Sequence, residues 1–324
     1  MRTEVETVRG PIPTSEMGKT LIHEHVFVMT TETHQQWPGE FDEEAKVAEA
    51  ITKLRELRDT GIETIVDPTV HGLGRDIPRV QRINAAVPDI NIVVATGIYT
   101  YTEVPNFFRF RGRGVHESLP EPMVDLFVGD IRDGIQGTGV KAALLKCAID
   151  EPGLTPGVER VLRAVAMTNR ETGTPIMVHT HPGTQTGLDV ARVLDDEGVP
   201  PSAVQLAHSG DTDDVEHLTA LAEKGYYLGM DRFGIEQHVS FDQRVDTVVE
   251  MCRRGFAGRM ALAQDASCYL DWMDPATAKM MADHHWNYFH VGKDVIPALL
   301  ERGVTPEQVD ELLVGTPRRW FEQA

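Results

Sequence analysis

Eight apolar runs recur along the chain, at residues 20–28 (TLIHEHVFV), 62–69 (IETIVDPT), 91–99 (NIVVATGIY), 142–150, 174–181, 204–210, 226–234 and 260–267. Near-continuous runs of Val, Ile and Leu are the signature of parallel strands covered on both faces. Between them lie stripes at helical spacing. Over 43–60, Val47, Ile51, Leu54 and Leu57 fall on one face, with Asp42 as N-cap and Gly61 beyond the end. Over 157–172, Val158, Val161, Leu162 and Val165 do the same, and Gly173 stops the helix. Shorter stripes occupy 187–197, 214–224 and 242–254, and Thr305-Pro306-Glu307-Gln308 has the form of a capping box. Strand and helix alternating through eight strands predict an α/β fold, a (β/α)8 TIM barrel, as a single domain over 1–324.

Two connections are long, 100–141 and 268–300. The second carries Tyr269, Trp272, Met273, Met280, Met281, Trp286, Tyr288 and Phe289. Long loops on the catalytic face of a barrel shape substrate access. The same residues would equally serve to pack a helix on the barrel wall or to form a dimer contact.

The polar residues that interrupt the runs change the picture. His23, His25, Lys146, His179, His208 and Asp265 each stand near the end of one. A barrel gathers its strand ends at one mouth, so these side chains converge there. Along a strand His23 and His25 project to one side and Glu24 to the other. An H-x-H pair alone is weak evidence for a metal, and a lone histidine is more often a satisfied core residue. Lys146 within AALLKCA is costly to bury unless it pairs with a carboxylate, forms a Schiff base or becomes a carbamate anion. Spacing does not separate His179 from His181. Taken together, the four histidines, lysine and aspartate predict a metallohydrolase, and their mixed nitrogen and oxygen donors suit zinc, cobalt, iron or manganese. The remaining histidines (34, 71, 116, 217, 238, 284, 285 and 290) are assigned to the surface.

A net charge of −19 and a pI near 5.1 argue against nucleic acid or an anionic membrane as partner. No apolar stretch approaches the ~20 residues of a membrane span, and the first residues lack a leader-like apolar region. Cys147, Cys252 and Cys268 make an odd number, which fits a reducing compartment. A cytoplasmic location is expected.

The succession TVRGPI, LIHEHV, VDPTVHGLGRD, VVATGIYTY, LLKCAIDEPGLTPG, VHTHPG, GDTDD, YLGMDRFG, QDASC and PRRWF resembles the phosphotriesterase-like lactonases of the amidohydrolase superfamily, over essentially the whole chain. The resemblance implies two divalent ions, one on His23, His25 and Asp265 and the other on His179 and His208. Lys146, carboxylated by CO2, would bridge them, and a bridging hydroxide would be the nucleophile. Asp265 would move the proton, Tyr99 and Arg232 would hold the substrate ring, and Phe233 and Trp272 would line the pocket. The implied substrate is an N-acyl-homoserine lactone, as in quorum quenching, or an aliphatic γ- or δ-lactone, with weak phosphotriesterase activity, and the implied assembly is a homodimer. The alternatives are a true phosphotriesterase and a non-catalytic metal-binding barrel. Two positions depart from the family pattern. Gln264 replaces a histidine; it is expected to orient Asp265 but does not titrate. Thr316 replaces an asparagine, a change expected to be structural.

Overall fold

The computed structural model describes residues 2–323. The eight barrel strands follow chain order: β1 in two pieces (Thr20–Leu21 and His25–Val28), β2 (Thr64–Asp67), β3 (Asn91–Gly97), β4 (Leu144–Ala148), β5 (Ile176–His179), β6 (Val204–Ala207), β7 (Tyr227–Met230) and β8, again in two pieces (Met260–Leu262 and Ser267–Leu270). The first piece of β1, strands β2 to β7 and the first piece of β8 form one eight-stranded parallel sheet in which sequence neighbours are spatial neighbours. The second pieces of β1 and β8 pair with each other, Ser267 opposite His25 and Tyr269 opposite Phe27, which closes the ring. This is the (β/α)8 barrel expected. A short antiparallel hairpin, Glu4–Thr7 with Gly10–Pro13, precedes it, and the Val8 N–H donates to the Ile92 carbonyl at the start of β3.

Strands β2 and β4 to β7 are buried at every position, as their unbroken apolar character requires. The expected helices form with their expected ends. Glu43–Asp59 is capped by the Asp42 carboxylate, which accepts from the Ala45 N–H at 3.0 Å. Pro156–Thr172 stops at Gly173, whose φ of 66° is a left-handed C-cap. Thr305 and Gln308 form the capping box.

The strands depart from expectation at one seam. The apolar runs 20–28 and 260–267 are not continuous strands; each leaves the ladder at its middle, over 22–24 and 263–266. Glu24 sits at this break. Its carboxylate, wholly buried, accepts from the Gln264 N–H at 2.8 Å and the Ala266 N–H at 3.0 Å. These side-chain bonds join the backbone bonds that still cross the closing seam there, from the Ile22 N–H to the Leu262 carbonyl and from the Asp265 N–H to the His23 carbonyl. The long connection after β8 divides between the alternatives: Tyr288 is core, its hydroxyl on the His25 carbonyl, while Trp272 is half exposed.

Candidate metal centre

The two pieces of β1 deliver His23 and His25 with their rings 5.3 Å apart. Each is oriented from behind. His23 Nδ1 meets Asp231 at 2.8 Å, and His25 Nδ1 meets the Thr69 hydroxyl at 2.7 Å, which itself donates to Asp67. Both Nε2 atoms therefore face inward, each 3.3 Å from Asp265 Oδ1. His208 is held by the other oxygen of Asp231 at 3.0 Å, and its ring stacks on His23 at 5.0 Å. His179 stands 4.4 Å from His208, ring to ring, with Nε2 on Asp150 at 2.7 Å. His181 points elsewhere, to the Thr184 hydroxyl.

Lys146 rises between them, 1% exposed, and its Nζ has no hydrogen-bond partner among the described residues. Burial lowers its pKa to about 8, although Asp265 and Asp231 pull the other way. An orphaned ammonium is expensive in a dry interior, so the site is built for a further group. Gly97 makes room beside it: at φ 145° its backbone passes so close that a Cβ would collide with the Lys146 carbonyl oxygen.

Two candidate ligands have strained backbones. His208 has φ 65° and Asp265 φ 53°, the left-handed region that non-glycine residues rarely occupy. Such strain persists only where surroundings enforce it, typically at functional sites.

The electrostatics leave lone pairs available. Burial, with Lys146 and Arg232 adding to it, lowers His23 and His208. Burial brings His179 down to about 4 despite Asp150. His25 goes up, because Asp265 and Asp67 outweigh its burial. Burial opposes ionisation of Asp265, but His23, His25 and Arg232 prevail and hold it well below the usual carboxylate range. Three imidazoles held neutral, His25 beside an ionised carboxylate, and an unpartnered lysine fit a pair of divalent ions; the ligand atoms of His23, His25 and Asp265 already lie within 4.8 Å of one another, and ions bound there would be held by these three with His179, His208 and a modified Lys146.

A cavity of about 210 Å3 opens onto these six residues and also takes in Tyr99, Arg232 and Trp272. Arg232 donates from Nε to Asp265 at 3.0 Å and from Nη1 to Asp211 at 2.9 Å. The Tyr99 hydroxyl lies 3.2 Å from His179 Nδ1 and 2.6 Å from the Tyr101 hydroxyl. Three expectations need correction. Phe233 does not line the cavity; at 1% exposure it belongs to the core behind β7. Gln264 does not orient the Asp265 side chain; its side chain turns away from the cavity, where its carbonyl accepts from the Val291 N–H at 2.7 Å. His290 is not at the surface but 2% exposed.

Sequence reading missed the residues behind the ligands: Asp231, Asp67 with Thr69, and Asp150. The signal was present. Each aspartate also ends or follows an apolar run, in LGMD, IVD and CAID, the same rule that found Asp265.

A barrel whose mouth gathers buried imidazoles and carboxylates around an orphaned lysine defines a metal-dependent hydrolase. Residues 3–321 match the profile of the phosphotriesterase family, and the chain belongs to that family, whose members depend on a binuclear metal centre. It is 53% identical over 321 residues to a phosphotriesterase homology protein of Mycobacterium tuberculosis, covering 99% of this chain and 98% of that one. It is 37% identical over 315 residues to an aryldialkylphosphatase of Saccharolobus solfataricus, covering 97% and 98%. A solved structure, described as the phosphotriesterase from Mycobacterium tuberculosis, superposes with a TM-score of 0.95 at 53% identity over 98% of both chains.

Proposed function

We propose that this protein is a lactonase: a hydrolase with two divalent ions, drawn from zinc, cobalt, iron and manganese, that opens N-acyl-homoserine lactones or aliphatic γ- and δ-lactones. The observation that carries the reading is the placing of Tyr99 and Arg232 beside the ligands in a cavity of only about 210 Å3. A planar lactone offers a carbonyl and a ring oxygen to such a pair of donors. Leu73, Ile235, Leu270 and Met281 give the same cavity apolar wall, suited to an acyl tail.

Ions bound at the centre would polarise the substrate carbonyl and lower the pKa of a water between them. The chain's own residues do the rest. Burial pushes the Tyr99 phenol well above its ordinary value, with Tyr101 adding to it, so it stays protonated and donates to the substrate. Arg232 stays charged and donates as well. Asp265 presents Oδ1 to the imidazoles and keeps Oδ2 on Arg232; ionised at neutral pH, it receives the proton of the attacking water and returns it to the leaving alkoxide. Trp272 and Met281 add apolar wall to the cavity. Lys146 as a carbamate would give its orphaned nitrogen a role and supply two oxygens where none now stand. Three buried, unbridged cysteines support a reducing, cytoplasmic setting. Exposed Phe107, Phe110 and Val115 on the connection after β3 support a homodimer.

A phosphotriesterase is the second reading, favoured by the names of the relatives. The ratio of kcat/KM for a lactone to that for paraoxon, in native protein, Tyr99→Phe and Arg232→Ala, separates the two. Loss of either donor should cost lactone hydrolysis about 1–3 kcal/mol and paraoxon hydrolysis less. Native preference for paraoxon, or equal losses on both substrates, overturns the lactonase reading.

A further inference from the structure

A second group of metal-type donors lies on the connection after β8, away from the central cavity. Ligand atoms of His285, His290 and Asp294 stand within 4.8 Å of one another. His290 Nδ1 is 2.7 Å from Asp294 Oδ2, and His285 Nδ1 is 3.8 Å from the same oxygen. The two imidazole centroids are 5.0 Å apart. Donors about 2.0–2.2 Å from a tetrahedral ion stand roughly 3.3–3.5 Å from each other. Two of the separations bracket that spacing, and all the ligand atoms lie within 4.8 Å of one another.

An ordinary ion pair does not account for the arrangement. His290 and Asp294 alone would satisfy each other, yet His285 is brought in at φ 81°, a strained backbone for a non-glycine residue. The loop after β7 accommodates it with Gly234, where a Cβ would meet the His285 carbonyl oxygen at 2.5 Å. A π-helical turn, Val291–Val295, begins at the residue after His290 and carries Asp294. Such turns are frequent at functional sites. His290 turns Nδ1 to Asp294 and the cluster; its buried Nε2, on the far side of the ring, would carry the proton with an ion bound at Nδ1. Burial lowers the pKa of His290, Asp294 opposing it, so the ring is neutral and has a lone pair to offer.

The geometry points to a separate site for a single divalent ion of the zinc class, held by His285, His290 and Asp294. A fourth position is left for water or for Glu236, whose charge reaches His290 from the loop after β7. His285 adjoins Trp286, whose indole N–H donates to the Gln264 and Asp265 carbonyls and whose ring lines the central cavity. An ion here would fix the connection after β8 behind that wall, whichever substrate the centre hydrolyses.

His285 and Asp294 are 57% and 45% exposed, so substituting them spares the core. Native protein, His285→Ala and Asp294→Asn are stripped with chelator, reloaded with Zn2+, desalted and analysed for metal by mass spectrometry. Each variant should retain roughly one ion per chain fewer than native protein, the loss expected when a ligand is removed from a single site. That difference is read against native protein, so it holds whatever the central site binds. Zn2+ should also slow proteolysis within 271–290 in native protein and not in the variants. Equal ion counts in all three proteins, or equal zinc protection, would mean that the cluster is only a histidine–aspartate pair and would overturn the proposal.

Discussion

Lys146 concentrates the energetic problem of the site in one atom: a buried nitrogen with no partner among the described residues. If a carbamate resolves it, Lys146→Ala should lose both metal and activity, and small carboxylic acids should restore part of each. Elemental analysis with and without added acetate is the check. Asp265→Asn should lower kcat by roughly two orders of magnitude or more while KM moves little, as for a group that transfers a proton in the transition state; near-native turnover would remove that role. Gln264→His is a different matter. The Gln264 side-chain carbonyl accepts from the Val291 N–H deep in the wall, so the change should cost about 1–3 kcal/mol of stability. Urea unfolding reads it directly. The acid limb of stability follows from the same residues. Burial depresses His23, His208 and His179 in the fold, the last to about 4 against an unfolded value near 6.5. A depressed histidine contributes stability that is whole above the unfolded pKa and drains away as pH falls toward the folded one. His25, raised, works in the opposite sense. Metal-free protein should therefore show a falling Tm from about pH 6.5 down to 4, three imidazoles outweighing one.

Among the elements, the seam between β1 and β8 is where local pattern and global need part company. Helices and inner strands were legible because their burial is uniform: Val158, Val161, Leu162 and Val165 are all buried, on the face their spacing indicates. Candidate ligands were legible because a polar side chain inside an apolar run is costly unless something pairs with it or binds it. The breaks at 22–24 and 263–266 were not, since apolar residues flank them and the side-chain bonds that brace them come from Glu24, across 240 positions of sequence. Nor were the backing carboxylates, because Asp231 looks the same in sequence whether it holds two histidines or caps a turn. Outward Gln264 and buried Phe233 show the limit of reading roles from motif membership: the local turn of the backbone beyond the strand end decides which side chain meets the cavity. Glu24→Gln tests the seam. One acceptor survives, but an amide N–H now meets a backbone N–H, and the loss should be about 1–3 kcal/mol. Gly97→Ala should cost at least about 2 kcal/mol, since it combines a forbidden φ with collision against β4. Thermal unfolding measures both.

At the scale of the molecule, the candidate ligands come from β1, β4, β5, β6 and the turn within β8, so an ion at the centre ties together strands on most of the barrel's circumference. Ligand at about 100 times its Kd adds about 2.7 kcal/mol to a fold that binds it only when native. Removing metal should lower Tm by several degrees, the shift expected at roughly 2–4 °C per kcal/mol for domains of somewhat smaller size. Calorimetry before and after chelation is the measurement, and an unchanged Tm would deny the centre any structural part. No helix among the described residues is long and apolar enough to cross a membrane.

The seam also sets a clock. Asp265 meets His23 and His25 only after β8 has docked beside β1. A chain still emerging from the ribosome has its first two imidazoles in place but neither the carboxylate that faces them nor the strand that covers their edge. Its centre stays incomplete until all but roughly the last fifth of the polypeptide has been made. Completion of the centre is therefore a closing event in the life of each new molecule, and a chain cut short before β8 is left with an open edge and without the carboxylate that faces His23 and His25.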